Sequence, residues 1–530
     1  MAPDVKTTSD RPHKVVMIGM DAGEYSLVEQ WCDDGSLPNL AALRKRGASG
    51  KLASTAGWLA GSPWPSFYTS TTPSEHGLYH YLIWRPEKMT HERPAPDWLP
   101  LDPFWRDIGR AGRDVIALDI PIAYAPVPFP GIEISGWATY ETLESPASHP
   151  PERLSQIVRE FGPPPFDNEA AHMMSPSELI EVRDQCVRTT LLTGKVGAAM
   201  MAREKWDLFL TCFAATHRAG HQLWDEANMS GTPTPEQAAE LSSAMKAVYE
   251  ATDVAIGQML EQAGPDATVI VFSLHGMGVN ISRSDVMREM LARVLDDSRS
   301  NRNGPVSNRR PVDRLRAFVP IRWRTKIKTK LPRLIQDWLT LFWRTSDIDW
   351  ATTKAFSMFS DLDGYVRVNL KGREPEGIVS PGTEYDVLLD RIERGLKTFV
   401  DADTGESVVG RTIRANELDP KVETVHRTIP DMMIHWATTS AAKHRQIVSP
   451  EFGAIDWPTP GRHPQARSGN HRPNGFFIAA GDHIAPCGVV EGAHIIDLAP
   501  TIYELMSLPM PATMKGKPLA VLMDAKIAGH

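Results

Sequence analysis

The chain has 530 residues, of which 42% are hydrophobic and 23% are charged, values typical of a globular protein with a sizeable core. This length exceeds that of one simple domain, so we expect one large domain with an insertion, or two domains. The formal net charge of −8 argues against a general nucleic-acid-binding protein, because phosphate contacts need clustered basic side chains. The four cysteines are widely spaced, which argues against a disulfide framework.

Short apolar runs predict buried strands, at residues 14–20, 114–120, 208–213, 268–273 and 476–480. Residues 41–46 predict a helix that ends at Gly47. Residues 234–262 predict a long helix, because Thr234 is suited to cap it. Strand, helix, strand in this order predicts parallel crossover units and an α/β sandwich. The first twelve residues show no apolar signal-peptide core, so the cytoplasm is the expected compartment.

The alternation of strands and helices is interrupted between residues 282 and 349. From residue 309 to residue 344, eleven Lys/Arg accompany two acidic residues, a local net charge of +9, with tryptophans interleaved. We interpret 309–344 as a basic helical insertion or cap that packs on an acidic body; peripheral contact with a membrane or a partner protein is the alternative. The predicted domains are a discontinuous main domain, 13–281 and 350–525, and an insertion, 282–349.

Polar side chains lie next to several predicted strands. Asp21 follows the first strand and His275 the strand at 268–273, while His471 precedes the last one. His217 and His221 follow another strand and are four residues apart, so a helix would place both on one face. Because ligands bind at the carboxyl ends of parallel strands, we expect these side chains to converge. Imidazole and carboxylate groups bind divalent metals, so the pattern predicts a metal site.

A serine precedes a proline at a predicted helix start, within residues 61–67. Ser62 is suited to cap that helix, and the same position favours a bound phosphate or sulfate near its hydroxyl. A serine hydroxyl is a weak nucleophile until a base or a metal ion stabilises its alkoxide. Ser62 therefore needs a metal nearby, for which Asp21 is a candidate ligand.

Taken together, these segments resemble the alkaline phosphatase superfamily, and within it the type I phosphodiesterase/nucleotide pyrophosphatase branch. The matching segments are residues 16–23, 35–40, 62–69, 72–77, 216–221, 274–277, 469–475, 497–502 and 516–519. The resemblance implies a three-layer α/β sandwich with a mostly parallel central sheet and two divalent metals, usually zinc. It also implies a covalent intermediate on a metal-activated Ser or Thr.

The same resemblance implies roles for individual residues. By position Ser62 is the nucleophile, with Thr55 and Ser66 as alternatives because the segment up to His76 is shorter than in many relatives. The other implied roles are ligands of the nucleophile-side metal at Asp21, Ser62 and His275, ligands of the second metal at His217, His221 and His471, and substrate binding at Arg472.

The chain departs from the family pattern at two metal ligands. The residue before His275 is an aspartate in the family and Leu274 here, and leucine cannot bind a metal. The candidates to replace it are Asp361, Asp363, Glu24 and water. The aspartate expected four residues before His221 is His217, which changes a ligand without losing it. We therefore expect one complete metal site and one incomplete site.

The function predicted from these residues is a metal-dependent hydrolase of phosphoric esters, mono- or diester, acting on a small molecule. A sulfuric-ester or phosphonate hydrolase is a second reading, although no Cys-x-Pro-x-Arg segment is present. A third reading is a non-catalytic or single-metal relative that acts as a binding module, for which Leu274 is the main support.

Overall fold

The computed structural model describes residues 13–139, 143–166, 172–296, 331, 335–339, 348–360, 362–418, 428–487 and 489–523. Most of the basic segment 309–344 lies outside these ranges, so its predicted role stays a prediction, as does the division at 282–349. Within the described residues, no helix combines the length and the apolar character needed to cross a bilayer.

The strands are β1 (Val15–Met20), β2 (Ala48–Ala53), β3 (Ile83–Arg85), β4 (Thr90–Glu92), β5 (Val115–Leu118), β6 (Ile132–Ser135), β7 (Ala147–His149), β8 (Leu208–Phe213), β9 (Thr268–Ser273), β10 (Gly276–Val279), β11 (Ala355–Ser357), β12 (Gly364–Val368), β13 (Val400–Asp401), β14 (Val409–Arg414), β15 (Met432–Trp436), β16 (Gln446–Ser449), β17 (Gly453–Asp456), β18 (Gly469–Arg472), β19 (Asn474–Ala480) and β20 (Val489–His494). The helices with described bounds are α1 (Tyr25–Asp33), α2 (Pro38–Arg46), α3 (Pro63–Thr69), α4 (Pro73–His76), α5 (Phe104–Arg110), α6 (Glu152–Phe161), α7 (Pro176–Arg203), α8 (Ala215–Gln222), α9 (Pro235–Ser242), α10 (Ala244–Ala263), α11 (Ser284–Val294), α12 (Thr383–Lys397), α13 (Ala415–Leu418) and α14 (Leu498–Leu505).

A nine-stranded sheet forms the centre, in the order β20-β2-β19-β9-β1-β8-β5-β6-β7. Strands β9, β1, β8, β5 and β6 run parallel to one another, while β19 and β7 are antiparallel to their neighbours. Every residue of β1 is buried, and alternate side chains enter two different cores: Val15 lies in the core that contains residues of α3, α5 and α14, and Val16 in the core that contains residues of α1, α2 and α10. The predicted three-layer α/β sandwich with a mostly parallel sheet is therefore confirmed.

The helix predicted at 234–262 is in fact two helices, α9 and α10, which meet at Ser243. The predicted cap is confirmed, because the Thr234 hydroxyl accepts a hydrogen bond from the Gln237 N–H (3.2 Å).

Helix α10 provides a capping residue for a second helix, α2. Its buried Asp253 carboxylate accepts hydrogen bonds from the backbone N–H groups of Leu40 (2.8 Å) and Asn39 (3.1 Å), which satisfies the start of α2.

A smaller antiparallel sheet, β11-β12-β15-β14, lies beside the main sheet. Helices α11 and α12 pack on one of its faces. The other face packs against residues 58–60 and 79–84 of the main domain. The smaller sheet therefore covers the chain segment that leads into Ser62.

Candidate metal centre

The central strands place the candidate residues at one edge of the sheet. Strand β1 lies between β8 and β9, so the ends of these three parallel strands are adjacent. Asp21 continues β1, and its N–H donates to the Phe213 carbonyl at the end of β8 (3.0 Å). Helix α8 begins immediately after β8, and the Thr216 hydroxyl in its first turn donates to the Asp21 carbonyl (2.6 Å). These bonds attach Asp21 to the helix that carries two of the histidines.

Three histidines converge at this edge. One ring nitrogen from each of His217, His221 and His471 lies within 4.8 Å of the others. The Nε2 atoms of His217 and His471 are 2.7 Å apart. The close approach of α8 to β18 depends on Gly469, since a Cβ at that position would collide with the carbonyl of Gly220. This glycine was not predicted as a site residue, because only the tertiary contact reveals its role.

In both His217 and His221, the ring nitrogen Nδ1 lies next to an oxygen atom of the protein. The His221 Nδ1–H donates to the Gly469 carbonyl (2.8 Å), which leaves Nε2 unprotonated. His217 Nδ1 lies 3.1 Å from Asp21 Oδ2. Histidines that bind metals usually direct their second ring nitrogen to a carbonyl or a carboxylate in this way. The donor set and its surroundings therefore fit a divalent metal such as zinc.

The electrostatics of the cluster also suit a cation. Burial lowers the pKa of His221 well below its ordinary value, and the nearby Arg467, His217 and His471 lower it further. Burial likewise lowers the pKa of His275 to about 4, although Asp21 favours its charged form. Burial raises the pKa of the Asp21 carboxyl, but His217 and His275 lower it, and the net direction is downward. A neutral His221 and an ionised Asp21 are protonation states that suit metal binding.

The nucleophile-side metal site predicted at Asp21, Ser62 and His275 is less complete. His275 Nε2 lies 3.7 Å from Asp21 Oδ1, and that oxygen accepts a hydrogen bond from the Trp64 indole N–H (2.9 Å). Leu274 is buried in the apolar core. Among the described residues, the observed contacts do not bring three ligand groups together around His275.

The candidates to replace the missing ligand have other contacts. Glu24 caps α1, and its carboxylate accepts a hydrogen bond from the Met277 N–H (3.1 Å). Asp363 lies beside His435 in the smaller sheet. Asp361 is outside the described residues. The described residues therefore fit one metal ion, and among them no second set of three ligand groups is found.

Ser62 precedes α3 and is fully buried. Its Oγ lies 2.7 Å from the Leu59 carbonyl oxygen and 2.8 Å from Thr55 Oγ1. The hydrogen bonds continue from Thr55 to Ser66 (3.2 Å) and from Ser66 to His76 (2.9 Å). The three hydroxyls considered as nucleophiles thus form one buried chain that leads to His76 and not to the histidine cluster. The assignment of Ser62 as nucleophile stays a prediction.

Arg472, predicted to bind substrate, is adjacent to His471 on β18. Its guanidinium packs against Gly278 and donates to the Val279 carbonyl (3.0 Å), so it contacts the paired strand β10. Burial lowers its pKa, which the charge of Glu24 partly offsets. Its proposed contact with substrate remains a prediction.

The fold and the site define an α/β protein whose sheet edge carries an imidazole cluster suited to a divalent metal. The family model "Type I phosphodiesterase / nucleotide pyrophosphatase" matches residues 15–331, and the chain belongs to this family. The family is one of hydrolases of the phosphodiesterase/pyrophosphatase type. This is the family that the sequence motifs predicted.

Similar solved structures include phosphonoacetate hydrolase from Sinorhizobium meliloti 1021 in complex with phosphonoformate. That match has 12% sequence identity and a TM-score of 0.48, and it covers 94% of this chain and 96% of the other. Human ectonucleotide pyrophosphatase/phosphodiesterase 5 matches with 10% identity and a TM-score of 0.45, over 95% of this chain and 97% of the other. No curated protein matches the sequence.

Proposed function

We propose that the chain is a metal-dependent hydrolase of phosphoric esters of small molecules, with one metal ion held by His217, His221 and His471. The convergence of their ring nitrogens within 4.8 Å carries this proposal. Three imidazoles are a ligand set used by catalytic zinc sites, which keep one coordination position for water or substrate. A bound ion would polarise a phosphoryl oxygen and lower the pKa of a water molecule.

The protein residues orient and shield this centre. The Gly469 carbonyl selects the His221 tautomer whose Nε2 faces the cluster. Asp21 holds His217 and balances positive charge in a buried environment. Because Asp21 and His217 are buried, their interaction is stronger than it would be at the surface.

Two nucleophiles are compatible with this centre. Ser62 is supported by its position, because Trp64, in the helix that begins just after Ser62, donates to Asp21. Water is supported by the contacts of Ser62, since its buried hydroxyl faces the Leu59 carbonyl and the Thr55 hydroxyl, neither of which is a base. Replacing Ser62 by alanine separates the two routes: turnover is abolished if Ser62 attacks phosphorus and is retained if water does.

Elemental analysis of untagged protein, purified without chelator, tests the metal centre. We expect one zinc per chain and metal-dependent turnover of nitrophenyl phosphate or its diester. His221→Ala should lose both metal and turnover. The matched control is His463→Gln, because His463 is also buried but already contacts Asp225 (2.9 Å) and the Asn280 carbonyl (3.1 Å). Full metal content in His221→Ala would refute the proposed ligand set.

A non-catalytic relative with one metal is the second candidate, favoured by the burial of Leu274 where the family has a ligand. It predicts that zinc binds to the wild type while every ester tested, including phosphonates and sulfuric esters, stays intact. Turnover that disappears with His221→Ala would exclude this candidate.

A further inference from the structure

The third histidine of the cluster, His471, lies on a two-stranded ribbon made of β10 and β18. In the antiparallel register of this ribbon, Met277 on β10 lies directly opposite His471 on β18. Residues opposite each other in such a pair have Cβ atoms about 4.5–5.5 Å apart and share one face of the ribbon. The position of Met277 therefore helps to set the position of the His471 imidazole.

The side chain of Met277 contacts the helix that carries the other two histidines. Gly220 lies between His217 and His221 on α8, and a Cβ at this glycine would lie 2.7 Å from Met277 Cγ and 2.8 Å from Met277 Cε. Glycine at this position thus lets Met277 pack directly on α8. Met277 is in contact with both parts of the ligand set, with α8 through its side chain and with β18 through strand pairing.

The carboxylate of Glu24 holds the backbone of Met277. Glu24 Oε2 accepts a hydrogen bond from the Met277 N–H (3.1 Å). Gly276 permits this approach, because a Cβ at that position would collide with Glu24 Oε2. The other oxygen, Oε1, accepts hydrogen bonds from the hydroxyl (2.7 Å) and the N–H (3.3 Å) of Ser26 in the first turn of α1. One side chain therefore joins the start of α1 to the ribbon.

The turn that precedes Glu24 also carries Asp21. This turn follows β1 and is closed by a hydrogen bond from the Gly23 N–H to the Met20 carbonyl (3.0 Å). Asp21 Oδ2 lies 3.1 Å from His217 Nδ1. One short segment thus contacts α8 through Asp21 and the ribbon through Glu24, and these two elements supply all three histidines. Support of this kind holds metal ligands in place before the metal binds.

We propose that Glu24 is a positioning residue of the metal centre: by holding Met277, it sets the place of His471 relative to the two histidines of α8. This inference rests on the proposed function, because it takes these three histidines as the ligands. Positioning requires a hydrogen-bond acceptor on a side chain long enough to reach Met277. Direct binding of the metal by Glu24 would instead require the negative charge of the carboxylate.

The zinc affinity of the full chain, measured by competition with a chromophoric chelator, tests this role in two variants. Glu24→Asp keeps the charge and a good N-cap for α1, but its side chain is one methylene shorter and loses the bond to Met277. Glu24→Gln keeps the length, and its amide oxygen accepts from the part-buried Met277 N–H, while water replaces it at the exposed Ser26 N–H. We expect the zinc dissociation constant to rise about tenfold in Glu24→Asp and to stay near the wild-type value in Glu24→Gln.

Glu144→Asp is the matched control. The Glu144 carboxylate also accepts a hydrogen bond from the backbone N–H of a distant residue, Ala125 (2.6 Å), and both residues lie outside the elements that carry the histidines. This variant shortens a glutamate in the same way and should leave the zinc dissociation constant unchanged. The comparison separates positioning of His471 from a general effect of losing one such bond.

An unchanged zinc dissociation constant in Glu24→Asp overturns the proposal. So does an equal rise in Glu24→Gln, which would make the charge of Glu24 the cause, or an equal rise in Glu144→Asp. A wild type that binds no zinc overturns both the metal centre and this inference. Because zinc binding does not require turnover, a chain whose zinc affinity follows the expected order but that hydrolyses no ester would refute the proposed function and leave the role of Glu24 standing.

Discussion

Replacing Asp21 by asparagine tests how the histidine cluster is held. The two carboxylate oxygens of Asp21 face His217 Nδ1 (3.1 Å) and the Trp64 indole N–H (2.9 Å). Asparagine keeps the shape but removes the charge, and it turns an amide N–H toward one of these groups. Loss of a carboxylate that orients a metal-binding histidine typically costs about 10–100-fold in metal affinity. We expect the zinc dissociation constant of Asp21→Asn to rise by this factor, or about 1.4–2.7 kcal/mol.

Competition with a chromophoric zinc chelator measures this change. His221→Ala should be assayed alongside, because it removes a proposed ligand and should lose more affinity than Asp21→Asn. An equal loss in the two variants would mean that Asp21 binds the metal directly. Unchanged affinity in Asp21→Asn would refute the idea that its charge supports His217.

Three further changes give expected outcomes that urea unfolding or metal analysis can check. Asp253→Ala leaves the backbone N–H groups of Asn39 and Leu40 unpaired, and should lower the free energy of unfolding by about 3 kcal/mol; a loss below about 1 kcal/mol would contradict the capping role. Burial raises the pKa of Asp119 from 3.8 to about 7, so the folded chain holds a proton that the unfolded chain releases. Stability from this group is therefore complete below about pH 4 and falls, by up to about 4 kcal/mol, as the pH rises through about 7; Asp119→Asn should flatten that slope. Leu274→Asp places a carboxylate in an apolar core, so it should lower the urea midpoint; a second zinc ion in this variant, where the wild type binds one, would show that residue 274 is the ligand missing from the second site.

The main sheet and the convergence of the histidines could be predicted because their signals are local. The buried run Val15–Met20 and the Asp21 that follows it are adjacent in sequence, and so are Leu208–Phe213 and the helix after it. Parallel pairing then brings these ends together, whatever the length of the chain between them.

Other features of the site could not be predicted because they exist only in the tertiary structure. The Trp64 indole reaches Asp21 through the packing of α3 against the sheet, and no sequence spacing reports it. The break between α9 and α10 at Ser243 was missed because its flanking residues continue a helical pattern.

The position of β19 has a consequence for the order of folding. This strand pairs with β2 on one side and β9 on the other, so the main sheet stays divided until the chain beyond residue 474 is available. His471 lies just before β19 and reaches the cluster through the same late segment. Such pairings between distant parts of a chain form slowly. During synthesis from the amino terminus, the proposed metal ligand set is therefore completed only after most of the chain has left the ribosome, and metal uptake would report that folding of the main sheet has finished.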